Sequence, residues 1–155
     1  MRDRMKKDLV YNYFSDDDFL RISNKIGEME KITSGEIRVS IKEKLPLLKS
    51  KNDLRQLAEE EFFKLGMDKT RDKTGILIYI VLEKKKFYIL ADSGINEKVD
   101  PSTWENVKDE MLQFFLKGDF AKGVVTGIEK VGNILSKHFP IKSDDTNELS
   151  NKVVL

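Results

Sequence analysis

Cysteine is absent from this 155-residue chain, and histidine occurs once, as His138. The first absence excludes disulfides, thiolate metal sites and thiol nucleophiles. The second excludes any centre built on several imidazoles. Nor does one sign of charge dominate: 28 Lys and Arg stand against 27 Asp and Glu, a net charge of +1. Nothing therefore steers the whole molecule toward nucleic acid or an acidic membrane surface. Long apolar runs are missing too. The longest, Ile76 to Leu82, falls well short of the roughly 18 residues of a membrane span. The start, Met1 to Asp8, is basic but leads into no apolar core of signal-peptide length. The expectation is a cytoplasmic protein with no membrane span and no nucleic-acid partner. What is present is 39% hydrophobic and 35% charged residues. That composition suits one highly charged globular domain, long enough to bury a core.

Residues 1–14 read as a flexible N-terminal tail, 15–140 as the folded domain and 141–155 as a polar C-terminal tail. Ser15-Asp16-Asp17-Asp18 opens a helix, with a serine N-cap and acids facing the positive end of the helix dipole. Phe19, Ile22, Ile26 and Met29 follow at helical spacing. Glu36 to Lys42 alternates strictly, with Ile37, Val39 and Ile41 on one face, and predicts a half-buried strand. Leu45-Pro46 breaks that pattern. A helix is predicted from about Asn52 to Leu65, with Gly66 behind it, and then a charged loop from Met67 to Thr74.

Ile76 to Leu82 and Phe87 to Ile95 predict two strands of a hairpin around a basic tip, Glu83 to Lys86. The first is apolar on both faces and should lie in the middle of the sheet. Two amphipathic helices follow. One starts near Asp100-Pro101-Ser102-Thr103, with its stripe at Trp104, Val107, Met111, Phe114 and Phe115. The other runs from about Phe120 to His138 after the turn Lys117-Gly118-Asp119. A strand–helix–strand unit gives parallel strands by a right-handed crossover, and a tight hairpin gives an antiparallel pair. The fold expected is α/β, a three-layer α/β/α sandwich on a small mixed sheet.

That topology sends three acids to one end of the sheet. Glu36 begins the first strand, Asp72 precedes the second and Asp92 ends the third, with Asp100 just beyond. Like charges do not gather at neutral pH without a proton, a cation or a basic partner. Gly35, Gly75 and Gly94 flank them, and tight turns leave carbonyl oxygens available. Acids plus carbonyls, with no cysteine or histidine beside them, suit a hard cation such as calcium or magnesium. The plainer reading is that these acids pair with Arg71, Lys73 or Lys98.

Other motifs carry less. Asp16-Asp17-Asp18 lacks the glycine and terminal glutamate of an EF-hand loop, and no phosphate-binding glycine loop or nucleophile elbow is present. Trp104 reads as core, His138 as a helix C-terminal cation, and Lys84-Lys85-Lys86 as a solvated turn. Asp119 falls at the far end of the sheet.

Taken together, Thr33-Ser34-Gly35-Glu36-Ile37-Arg38-Val39, Asp72-Lys73-Thr74-Gly75-Ile76-Leu77-Ile78, Ala91-Asp92-Ser93-Gly94-Ile95, Trp104, and Lys117-Gly118-Asp119-Phe120 with Gly123 and Gly127 resemble the TPM domain family over roughly residues 15–140. That family includes a plant thylakoid-lumen protein described as an acid phosphatase and many bacterial proteins. His138-Phe139-Pro140 and Asp145 to Leu149 are similar to the endings of short bacterial members that carry no leader. The resemblance implies an α/β/α sandwich and a divalent metal, usually calcium, at an acidic cluster. By motif it transfers to Asp72 and Asp92, and with Glu36 as a third ligand. It supplies no catalytic residue. Three functions follow: a metal-binding domain with a partner-binding or regulatory role, a weak metal-assisted phosphatase, or an adaptor whose acids only form salt bridges. A protein partner is left open.

Overall fold

The computed structural model describes residues 8–45, 53–142 and 149–155. The Leu45-Pro46 break, the start of the helix near Asn52, and parts of both expected tails (1–7 and 143–148) lie in part or wholly outside them. The elements are α1 (Asp8–Tyr13), α2 (Asp16–Glu30), β1 (Glu36–Lys42), α3 (Leu54–Lys64), β2 (Gly75–Val81), β3 (Lys86–Ala91), a four-residue turn of helix α4 (Ser93–Asn96), α5 (Thr103–Leu116) and α6 (Phe120–His138). A 3₁₀ turn, Met67–Lys69, lies between α3 and β2.

The helix starts are local chemistry. The Ser15 hydroxyl accepts from the Asp18 N–H at 3.1 Å, and the Asp18 carboxylate accepts from the Ser15 N–H at 2.9 Å. That reciprocal box satisfies two donors that the first turn of α2 would otherwise leave bare. Asp53 caps α3 from the Gln56 N–H at 2.7 Å, and Asp119 caps α6 from the Lys122 N–H at 3.2 Å. Gly118, at φ 82°, makes the tight turn between α5 and α6 that a side chain would strain.

The sheet has the expected order, β1-β2-β3. β1 runs parallel to β2 with Glu36 opposite Gly75, and β2 runs antiparallel to β3 with Ile76 opposite Ala91. Every residue of β2 is buried. Alternation splits its side chains between two layers. Ile76, Ile78 and Ile80 join Ile37, Val39 and Ile41 under α2, α5 and α6. Leu77, Tyr79 and Val81 meet Leu57, Ala58 and Phe62 of α3 on the other face. Gly123 and Gly127 of α6 lie so close to Phe115 and Met111 of α5 that an added Cβ would overlap those side chains.

The expected loose tail does not hold over residues 8–14. They form α1, and Val10 and Phe14 are buried in the larger core. Phe14 stacks on Phe19 at 5.5 Å between ring centroids. Leu9, Val10, Tyr13 and Phe14 make an apolar stripe at helical spacing, which the charged residues before it conceal. Residues 149–155 lie against the domain, where Val154 bridges to Ser40 of β1.

Candidate functional site

The backbone places the expected acids at one end of the sheet. Glu36 pairs across β1–β2 with Gly75, and Gly75 accepts at its carbonyl from the Asp92 N–H at 2.9 Å. Adjacent strands stand ~4.8 Å apart, so Glu36 and Asp92 lie about two strand spacings from one another. Asp72 sits in the turn just before Gly75. That turn is pinned to α4, because the Gly94 N–H donates to the Lys73 carbonyl at 2.9 Å. A Cβ on Gly94 would overlap both the Asp72 and the Lys73 carbonyl oxygens. Lys73 itself is left-handed, at φ 58°.

The side chains then go separate ways. Asp92 caps α4: its Oδ1 accepts from the Ser93 N–H at 2.7 Å. Its Oδ2 is shielded from solvent and takes no hydrogen bond from any described residue. Asp72 is 38% exposed and meets two cations, Lys142 Nζ at 3.4 Å and Arg71 Nε at 3.5 Å. Glu36, only 3% exposed, lies beside Glu30 at the end of α2, near enough for its charge to push the Glu30 carboxyl up. Asp100 does not join the others. Its carboxylate accepts from the Ser102 N–H at 2.9 Å, and that bond and the Ser102 hydroxyl hold it below the usual carboxylate range. Among the described residues, no three His, Asp or Glu side chains form a group able to hold a metal ion.

A match to the TPM domain runs over residues 10–134, most of the chain. The chain belongs to the TPM domain family. The NMR structure of the BA42 protein from the psychrophilic bacterium Bizionia argentinensis has a TM-score of 0.83 to this TPM domain at 37% identity, over 92% of this chain and 94% of that one. The N-terminal domain of a protein from P. gingivalis has a TM-score of 0.66 at 15% identity, over 82% and 79% of the two chains. The N-terminal domain of a Corynebacterium glutamicum protein has 0.61 at 11%, over 93% and 82%. These last two likenesses concern the fold. No curated protein matches the chain.

Elsewhere the TPM domain bears out the plainer readings of its motifs. Trp104 is buried in the larger core, and the Lys84–Lys86 tip is exposed. Among the described residues, no helix is long and apolar enough to cross a membrane.

Two acid pairings escaped sequence reasoning. One is Glu30 with Glu36. The other is Glu61, buried on α3, which accepts from the Ser40 hydroxyl at 2.5 Å and pairs with Lys42 at 2.9 Å. Burial works against its charge, but the Ser40 and Lys42 bonds outweigh burial and hold Glu61 below the usual range. The signal was there in part: Glu61 follows Leu57 by one helical turn, on the stripe that faces the sheet.

Proposed function

We propose that this TPM domain binds one hard divalent cation, calcium first and magnesium second, at the loop edge beside Asp92 and Asp72. The proposed role is regulatory: the cation fixes the Arg71–Gly75 turn against α4 and presents that edge to a protein partner. The carrying observation is Asp92 Oδ2, a carboxylate oxygen withdrawn from solvent with no hydrogen bond from a described residue. Leaving such an acceptor unsatisfied costs about 1–3 kcal/mol, more when it is charged. A cation removes that cost.

The remaining donors fit oxygen-only coordination. Asp72 supplies a second carboxylate, and the Asp72 and Lys73 carbonyls already crowd the Gly94 corner. Hard cations accept carbonyl oxygens and carboxylates together. Lys142 and Arg71 compete for Asp72, but exposed ion pairs contribute only ~0–1 kcal/mol, so a divalent ion can displace them. Glu36, the third acid of the expected set, must leave Glu30 to take part. The ion would supply charge neutralisation and a fixed loop geometry.

The test is a thermal-shift titration with calcium, magnesium and manganese. An ion that binds only the folded chain raises stability by mass action, by about 2.7 kcal/mol at a hundred times its Kd. Absence of any shift at millimolar ion would leave the acids as salt-bridge partners and sink the proposal.

A further inference from the structure

The other edge of the sheet is β3, and a cleft of about 420 Å³ runs along it from Tyr88 to Ala91. Arg55, in the first turn of α3, stands on one side of the cleft. Trp104, Glu105 and Lys108 of α5 stand on the other, and Asn96 and Pro101 line the end at α4. Phe115 packs on Phe87 at 5.1 Å between ring centroids. Helix α5 therefore runs back along β3, with Trp104 toward Ala91 and Lys108 toward Ile89.

The walls of this cleft offer more donors than acceptors. The Asp92 N–H bonds to the Gly75 carbonyl, and antiparallel pairing alternates, so the N–H groups of Ile89 and Ala91 point away from β2. Neither has an acceptor among the described residues. The Ala91 carbonyl is already taken by the Asn96 amide at 2.9 Å. Trp104 is 6% exposed, and its shielded indole N–H meets no acceptor among the described residues. Arg55 and Lys108 bring two cations and Glu105 one anion, which leaves one positive charge in excess. Lys108 meets Glu105 only at 3.9 Å, and Arg55 meets Glu59 at 3.1 Å. Such pairs at the surface are weak and yield to a ligand.

We propose that this cleft binds a small organic acid, one carboxylate on a short apolar body. A carboxylate accepts hydrogen bonds and donates none, which matches walls with surplus N–H groups. Its head lies at the Ile89 N–H, between Arg55 and Lys108. Its body lies against Ala91, Pro101 and the Trp104 ring. One excess positive charge suits a monoanion and matches a phosphate dianion poorly. The volume falls within the range of small-molecule pockets, about 300–1,000 Å³. The same head group occurs in a free acid and at the end of a peptide, and the test separates the two. The cleft shares no lining side chain with the Asp72–Asp92 edge and needs no cation.

Trp104 is the only tryptophan of the chain, so its fluorescence reports on this wall. The full chain is titrated in EDTA with hexanoate, with its uncharged counterpart hexanamide, and with acetylated trialanine, which carries the carboxylate on a peptide. Hexanoate should change the fluorescence saturably, with a Kd of about millimolar for so small a molecule. Hexanamide should bind about tenfold more weakly, the loss of one charge-assisted hydrogen bond. Hexanoate should lose about as much on Lys108→Gln and on Arg55→Gln, two side chains near the surface whose replacement leaves the core intact. In NMR the Ile89 amide proton should shift on binding, whereas that of Leu90, which bonds to β2, should stay. Tighter binding of acetylated trialanine than of hexanoate assigns the head group to a peptide end, and the reverse to a free acid; both support the site. No saturable response to either acid, equal binding of hexanoate and hexanamide, or an unmoved Ile89 amide overturns the proposal. So does unchanged affinity in both variants. With divalent ions removed, none of these results bears on the cation site.

Discussion

Glu30 lies beside the buried Glu36 where α2 meets the first residue of β1, with its Oε2 accepting from the Ile37 N–H at 2.8 Å. Burial pushes Glu30 up from 4.5 to about 9; the Ile37 N–H opposes that, and the Glu36 charge reinforces it. Folded Glu30 therefore keeps a proton that the unfolded chain releases above about 4.5. The stability this pair contributes is full below that pH and is lost as pH rises toward about 9. Glu30→Gln keeps an oxygen for Ile37 and a donor for Glu36, and it does not ionise. Between about pH 5 and 9 the wild type should lose stability relative to E30Q, as measured by urea denaturation. Parallel pH curves for the two would mean that Glu30 titrates as an ordinary acid.

Ile78 is fully buried at the centre of β2, between Val39 of β1 and Ile89 of β3. Ile78→Ala should cost about 2–5 kcal/mol, the lost transfer energy plus the cavity left by a side chain with no room to relax. A loss well under 1 kcal/mol in chemical denaturation would contradict the central place of this strand.

Gly94 tests the corner that holds the Asp72 turn. Gly94→Ala would drive a methyl group into the Asp72 and Lys73 carbonyls, which are backbone and cannot rotate away. The turn must shift, and the variant should lose about 1–3 kcal/mol. It should also respond less to added calcium in thermal shift. A G94A chain of wild-type stability would show that the turn is loosely held.

The two aspartates should differ without an ion. Asp72→Asn breaks exposed ion pairs and should change stability by less than about 1 kcal/mol. Asp92→Asn keeps an oxygen to cap α4 and replaces the shielded Oδ2 by an amide, so it should be neutral or stabilising. Both should reduce the calcium-induced shift, and D92N should abolish it. An undiminished shift in D92N would move the cation elsewhere.

Much of this architecture was legible in the residues themselves. The apolar run Ile76 to Val81 needs cover on both faces, the crossover helix makes β1 parallel to β2, and the short basic tip makes β3 antiparallel. Those are rules of local pattern and chain handedness, and they bring Glu36, Gly75 and Asp92 to one end of the sheet. The family was legible for the same reason, because its motifs sit at strand ends. Tertiary structure decided where each carboxylate pointed. Glu36 found Glu30 across a strand edge, Asp72 found Lys142 from seventy positions along the chain, and Asp92 turned inward to cap α4. It also drew Val10, Phe14 and Val154 from apparent tails onto the domain. Periodicity fixes which face of an element is apolar. A side chain's partner depends on the three-dimensional neighbours that burial and charge make available, and those come from distant parts of the chain.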